Sequence, residues 1–126
     1  MTAIRVAEIN ILLVDDEPDL ADTCQEHLEN VGYKVTSMCK PREALDCLLN
    51  NLTGFDLAIT DYFMPEMDGG RLSLAIQDIR PDIPVILMTG YMHQIDLKNL
   101  GISAVLPKPF SLKTLDETIR KVLFNK

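Results

Sequence analysis

Four short apolar runs in this chain show no polar alternation, and each ends on a residue equipped for chemistry. Ile11-Leu12-Leu13-Val14 runs into Asp15-Asp16, and Leu57-Ala58-Ile59-Thr60 runs into Asp61. Val85-Ile86-Leu87-Met88 runs into Thr89, and Ala104-Val105-Leu106-Pro107 runs into Lys108. A sheet with one wet face would alternate apolar with polar residues, whereas continuous apolar runs belong to strands buried on both faces, the condition of a helix-covered parallel sheet. The more polar, alternating stretch from Tyr33 to Cys39 suits an edge strand. Parallel strands end at one common edge, so three carboxylates, a hydroxyl and an ammonium are expected to converge where open α/β sheets hold their ligands.

Helical periodicity fills the intervals. Leu20, Cys24, Leu28 and Val31 mark a first helix; Ala44, Leu45, Leu48 and Leu49 a second; Leu72, Ala75, Ile76 and Ile79 a third. Leu112, Leu115, Ile119 and Val122 mark the last, and a weaker signal for a fourth helix lies around Ile95 to Leu100. Pro18 and Pro41 suit first-turn positions, Gly32 a helix stop and Ser111 an N-cap, while Pro81 and Pro84 bracket a helix-to-strand connection. The chain therefore predicts an α/β fold: βα repeated five times, a doubly wound, flavodoxin-like three-layer sandwich whose five-stranded parallel sheet has the order 2-1-3-4-5. Residues 1–8 are expected to form an N-terminal extension and 9–126 a single domain.

At 126 residues with 47% hydrophobic and 25% charged side chains, the chain can bury a core without disulfides or structural metal. Twelve basic against nineteen acidic residues give a formal charge of -7, which disfavours nucleic acid as a direct partner. Cys24, Cys39 and Cys47 are odd in number and form no CxxC pair, so they read as packing residues in a reducing compartment. No run approaches a membrane span and no basic-then-apolar leader opens the chain, so a cytoplasmic protein is expected.

Asp15, Asp16 and Asp61 at adjacent strand ends would repel one another unless a cation sat among them. Oxygen ligands alone suit Mg²⁺, which keeps several waters and shares its shell with phosphate. Given such a metal, Asp61 is the candidate nucleophile toward phosphorus, with the Lys108 ammonium neutralising charge and the Thr89 hydroxyl donating a hydrogen bond. Taken singly, Asp15-Asp16 fits a strand-to-helix cap, Asp61 a turn, and Thr89 or Lys108 a solvated position. Their placement at four strand ends favours the site. His27 and His93 have no second ligand at a metal-site spacing. Met64, Met67, Met88 and Met92 suit packing, and Asp68-Gly69-Gly70 suits the turn that starts the third helix.

These segments also carry a family resemblance. Ile11 to Pro18, Asp61-Tyr62-Phe63-Met64-Pro65-Glu66-Met67-Asp68-Gly69, Met88-Thr89-Gly90-Tyr91 and Lys108-Pro109-Phe110 stand in the order and spacing of the receiver domain of two-component response regulators, and the chain resembles it from about Ile9 to Leu123. The resemblance implies that a sensor histidine kinase or histidine phosphotransfer protein donates a phosphoryl group to Asp61, the domain itself catalysing its phosphorylation and dephosphorylation. It further implies that Asp16, Asp61 and the backbone carbonyl of Phe63 bind Mg²⁺ directly, that Asp15 acts mainly through a metal-bound water, and that Lys108-Pro109 is cis. A monomer or weak dimer is expected, either a stand-alone receiver or one belonging to a larger chain such as a hybrid histidine kinase.

Two positions depart from the family. Receivers usually carry Tyr or Phe three residues before the lysine, as a ring that turns inward when the threonine moves; here that residue is Val105. A β-branched valine has one stiff torsion and cannot alternate as a ring does. The phosphoryl group is then expected to act mainly on the loops around Asp61 and Thr89. Gly90 replaces a common alanine and loosens the next loop, and Tyr91 offers a substitute ring. Val105 also supports a contrasting function, a constitutive protein-interaction module that works without phosphorylation. A turnover enzyme is disfavoured, because Phe63 stands where a general acid would be needed two residues after Asp61.

Overall fold

A computed structural model describes residues 6–90 and 99–124. Within them, β1 (Asn10–Val14), β2 (Lys34–Met38), β3 (Leu57–Asp61), β4 (Val85–Thr89) and β5 (Ala104–Pro107) form one sheet in the order β2-β1-β3-β4-β5, as expected. Every neighbouring pair is parallel. The described helices are α1 (Pro18–Val31), α2 (Pro41–Leu49), α3 (Gly69–Ile79) and α4 (Leu112–Phe124), preceded by a 3-10 turn at Val6–Glu8. The helix expected around Ile95 to Leu100 falls largely on residues 91–98, outside the described residues, as do Tyr91, Met92 and His93.

Successive residues of each apolar run point to opposite faces, and both faces are filled. Ile11, Leu13, Leu57, Ile59, Ile86 and Met88 face one core with Cys24 and Leu28 of α1 and Leu115 and Ile119 of α4. Leu12, Val14, Ala58 and Val85 face the other with Ala44 and Leu48 of α2 and Leu72 and Ile76 of α3. This is the three-layer sandwich. Val6 packs against the first core, and Met64 and Met67 against the second. Cys24 is buried and apolar burial pushes its thiol up to about 11, which keeps it inert; all three cysteines are unpaired.

Local chemistry sets the helix ends. Pro18 and Pro41 occupy first-turn positions, and Gly32 closes α1 by donating its N–H to the Leu28 and Glu29 carbonyls. Asp68 caps α3 by accepting from the Arg71 N–H at 2.9 Å, and Ser111 caps α4 through the Thr114 N–H at 3.0 Å. Two strand ends differ from the sequence expectation. Asp61 and Thr89 do not stand past their strands but end them, because Asp61 still pairs with Met88 and Thr89 with Pro107.

The start of α3 is pressed onto the end of β3. Gly69 donates its N–H to the Tyr62 carbonyl at 2.6 Å, and a Cβ there would overlap the Asp61 carbonyl oxygen and lie 2.8 Å from the Tyr62 Cα. Both neighbours are backbone, which cannot step aside. Gly69→Ala is therefore expected to lower stability by about 1–3 kcal/mol. Urea denaturation measures it, and an unchanged midpoint would contradict so close an approach.

Candidate functional site

The strand ends bring the predicted acidic residues together. Asp15 follows β1 fully buried, Asp61 ends β3 buried, and Asp16 is half-buried beside them. One carboxyl oxygen from each of these three residues lies within 4.8 Å of the others, the one such cluster of potential metal ligands among the described residues. Backbone bonds running past the strands hold the edge in register: the Asp15 N–H donates to Met38, Tyr62 to Met88 and Lys108 to Thr89, at 2.8 to 3.1 Å. Asp15 also accepts from the Glu17 N–H at 2.9 Å, which shapes the turn before α1, while α1 itself starts without a side-chain cap.

Lys108 reaches across this edge from the end of β5. Its Nζ lies 3.0 Å from Asp61 Oδ1 and 3.5 Å from both Asp15 Oδ2 and Glu17 Oε1, and the Lys108–Pro109 peptide is cis. Burial alone would push an ammonium toward neutrality, but the hydrogen bond to Asp61 and the charges of Asp15, Asp61 and Glu17 outweigh it and raise the Lys108 pKa. Asp61 moves up to about 6, chiefly because burial strips its carboxylate of water; the bond from Lys108 opposes the shift and the charge of Asp15 adds to it. Asp15 moves upward too, again through burial, against its Glu17 and Lys108 interactions.

Asp15, Asp16 and Asp61 carry more negative charge than the Lys108 ammonium, which Glu17 also shares, can offset, so the edge is short of positive charge. The donors are all oxygen, which fits Mg²⁺ and not zinc. Thr89 is buried at the end of β4. Phe63 lies two residues beyond β3 with its ring 4.8 Å from Tyr62 in an edge-on contact. With Leu20, Pro109 and Phe110 it walls an open groove of about 500 Å³ over Asp61 and Lys108. A larger groove of about 710 Å³ passes over Val105 between β5 and α4, but it gathers no carboxylate cluster, so size does not locate the chemistry.

Two contributors escaped the sequence. Glu17 shares Lys108 with the aspartates, which its place beside Asp16 could have suggested. Gly69 brings α3 against the Asp61 carbonyl, and only its position in an Asp-Gly-Gly step hinted at that. His27 pairs with Asp116 of α4 at 2.8 Å.

With this geometry in view, comparison with known proteins is decisive. The sequence profile of the response regulator receiver domain matches residues 11–120. The chain belongs to this family. The receiver is 34% identical over 117 residues to the response regulator SaeR of Staphylococcus aureus, a match covering 90% of this chain and 50% of SaeR. It thus spans about half the length of the curated relatives it matches. Among solved structures it is similar to a response regulator receiver domain protein from Clostridium thermocellum (TM-score 0.85, 27% identity, 93% of this chain and 95% of that one). The receiver domain of the hybrid histidine kinase CckA (TM-score 0.79, 32% identity, 90% and 98% covered) and the chemotaxis response regulator CheY4 of Vibrio cholerae (TM-score 0.82, 28% identity, 91% and 98% covered) share the fold.

The receiver's charge balance has a measurable consequence. Folding raises the Asp61 pKa from 3.8 to about 6, so the folded state holds this proton more tightly than the unfolded chain does. The resulting stability is fully present below 3.8 and is lost as pH rises through about 6. In chelator, Asp61→Asn should therefore gain on the wild type as pH rises from 4 to 8, by up to roughly 3 kcal/mol at ~1.4 kcal/mol per pH unit. A difference in urea stability that does not vary with pH would contradict the burial-driven shift.

Proposed function

We propose that this receiver takes a phosphoryl group from a partner's phosphohistidine onto Asp61 in a Mg²⁺-dependent reaction and passes the signal on by conformational change or phosphorelay. The observation that carries it is the meeting of Asp15, Asp16 and Asp61 within 4.8 Å, with the Lys108 ammonium 3.0 Å from Asp61. Asp61 supplies the attacking oxygen: an O–P bond forms, the P–N bond breaks, and the donor imidazole leaves with the electron pair. A pKa of about 6 keeps Asp61 mostly ionised at neutral pH, as a nucleophile must be. Lys108 offsets charge on the phosphoryl oxygens, and the Thr89 hydroxyl donates to one of them. Asp15, Asp16, Asp61 and the Phe63 carbonyl are the groups that would hold Mg²⁺. Bound there, the ion would neutralise phosphoryl charge and line up the displacement.

The partner is a sensor histidine kinase or a histidine phosphotransfer protein, met by the receiver as a monomer or weak dimer in the cytoplasm; the unpaired cysteines suit that reducing compartment. No described helix is long and apolar enough to cross a membrane. The charge of -7 speaks against direct nucleic-acid binding. A second function, a constitutive interaction module, is favoured by one observation: Val105, half-buried on β5, replaces the usual ring.

Acetyl phosphate separates the two. With Mg²⁺ it should shift the wild-type band on Phos-tag electrophoresis and leave Asp61→Asn unshifted; an unshifted wild type would favour the interaction module, and an equal shift in both would move the acceptor elsewhere. Millimolar Mg²⁺ should also raise the wild-type melting temperature through native-state binding, while Asp16→Ala loses that response. A wild-type melting curve indifferent to Mg²⁺ would count against the acidic cluster as a metal site.

A further inference from the structure

α3 carries a polar pair that phosphoryl chemistry does not use. Ser73 is fully buried in mid-helix, where a serine hydroxyl commonly bonds back to its own helix. Here its Oγ lies 3.5 Å from the carbonyl of Leu100, in the chain entering β5. Gln77, one turn further along, donates from Nε2 to the same carbonyl at 2.7 Å and to Ser73 Oγ at 2.9 Å. Both amide hydrogens are thus engaged. Gly101 follows with φ +64°, and a Cβ there would overlap Gln77 Oε1, so the backbone is shaped around this side chain. Two residues on, the Ser103 N–H donates to the Val85 carbonyl at 2.8 Å, which starts the pairing of β5 with β4.

Leu100 has a second hold. Its Cδ1 and the Tyr62 ring converge on Gly70, where a Cβ would lie 3.4 Å from the one and 3.2 Å from the other. Tyr62 follows Asp61 directly, and its backbone is fixed at both ends, its N–H on Met88 and its carbonyl on Gly69. The Tyr62 ring and the first turn of α3 thus lie between the backbone after Asp61 and the Leu100 side chain at Gly70. Coupling requires one element that both sites bias, and Leu100–Gly101 is the segment that both sets of contacts reach.

We propose that Ser73 and Gln77 form a latch that positions the entry to β5, and that Tyr62 makes the latch responsive to the state of Asp61. The latch itself stands on geometry; its responsiveness rests on the phosphoacceptor function above. Gln77 is a positioning residue, and the signal reaches α3 and the start of β5 without a ring on β5.

Amide exchange by NMR on the full chain tests the latch without any phosphoryl group. In Gln77→Ala, and in Gln77→Glu, which keeps the shape but removes the donor, the Ser103 amide should exchange about tenfold faster, the order expected when the part-buried bond to the Leu100 carbonyl is lost. The Tyr62 amide should be unchanged. Unaltered Ser103 exchange in both variants would overturn the latch. Beryllofluoride with Mg²⁺ then tests responsiveness. Shifts at the Thr89 and Lys108 amides report a loaded site, and the Gln77 side-chain amide and Gly101 should shift with them in the wild type but Gly101 should not in Tyr62→Leu. A loaded wild type with Gly101 and Gln77 unmoved would overturn the coupling. Silence at Thr89 and Lys108 would overturn the phosphoacceptor function, and the coupling with it, while the exchange result on the latch would stand.

Discussion

The ammonium of Lys108, held 3.0 Å from Asp61 and 3.5 Å from Asp15 at the buried edge of the sheet, is the interaction on which the site depends. Desolvation alone would drive both aspartates toward protonation, and a protonated Asp61 is neither nucleophile nor metal ligand. Lys108 opposes that drift but cannot cancel it. Asp61 at about 6 is thus poised, largely ionised at neutral pH yet still short of positive charge. The same shortfall favours a divalent cation at this edge, and a phosphoryl group, itself negative, would need such a cation beside Lys108 before it could approach.

This interaction also ties the chemistry to the whole fold. Asp15 comes from β1, Asp61 from β3 and Lys108 from β5, so the charges meet only when the sheet is complete and in register. The rung from the Lys108 N–H to the Thr89 carbonyl fixes the base of the lysine side chain at the moment β5 ends. Slipping one strand by a residue would turn its end side chain to the other face. The backbone rungs that run past the strand ends, from Asp15 to Met38, Tyr62 to Met88 and Lys108 to Thr89, hold the strands against such a slip.

Much of this was legible in the sequence for a simple reason: parallel strands share an edge, so residues following four apolar runs had to be neighbours. Asp15, Asp16, Asp61, Thr89 and Lys108 needed no more than that to be placed at one edge. What stayed hidden depends on backbone meeting backbone or on partners far apart in the chain. Gly69 against the Asp61 carbonyl and Gln77 on the Leu100 carbonyl have no periodicity to betray them. At Asp61 and Thr89 a polar residue closes the apolar run, yet ladder pairing continues through it, so each strand extends one residue past its run. Val105 was legible as a departure, but the contacts of Tyr62 and Leu100 around Gly70 are visible only in three dimensions.

The central claim is that this constellation makes Asp61 the acceptor, and chemical trapping addresses it most directly. Borohydride reduces an aspartyl phosphate to homoserine, leaving a mass change that peptide sequencing assigns to one residue. After phosphorylation of the wild-type receiver with Mg²⁺, homoserine should appear at position 61 and at neither 15 nor 16. Homoserine at Asp15 or Asp16, or a phosphorylated chain that yields none, would contradict the account.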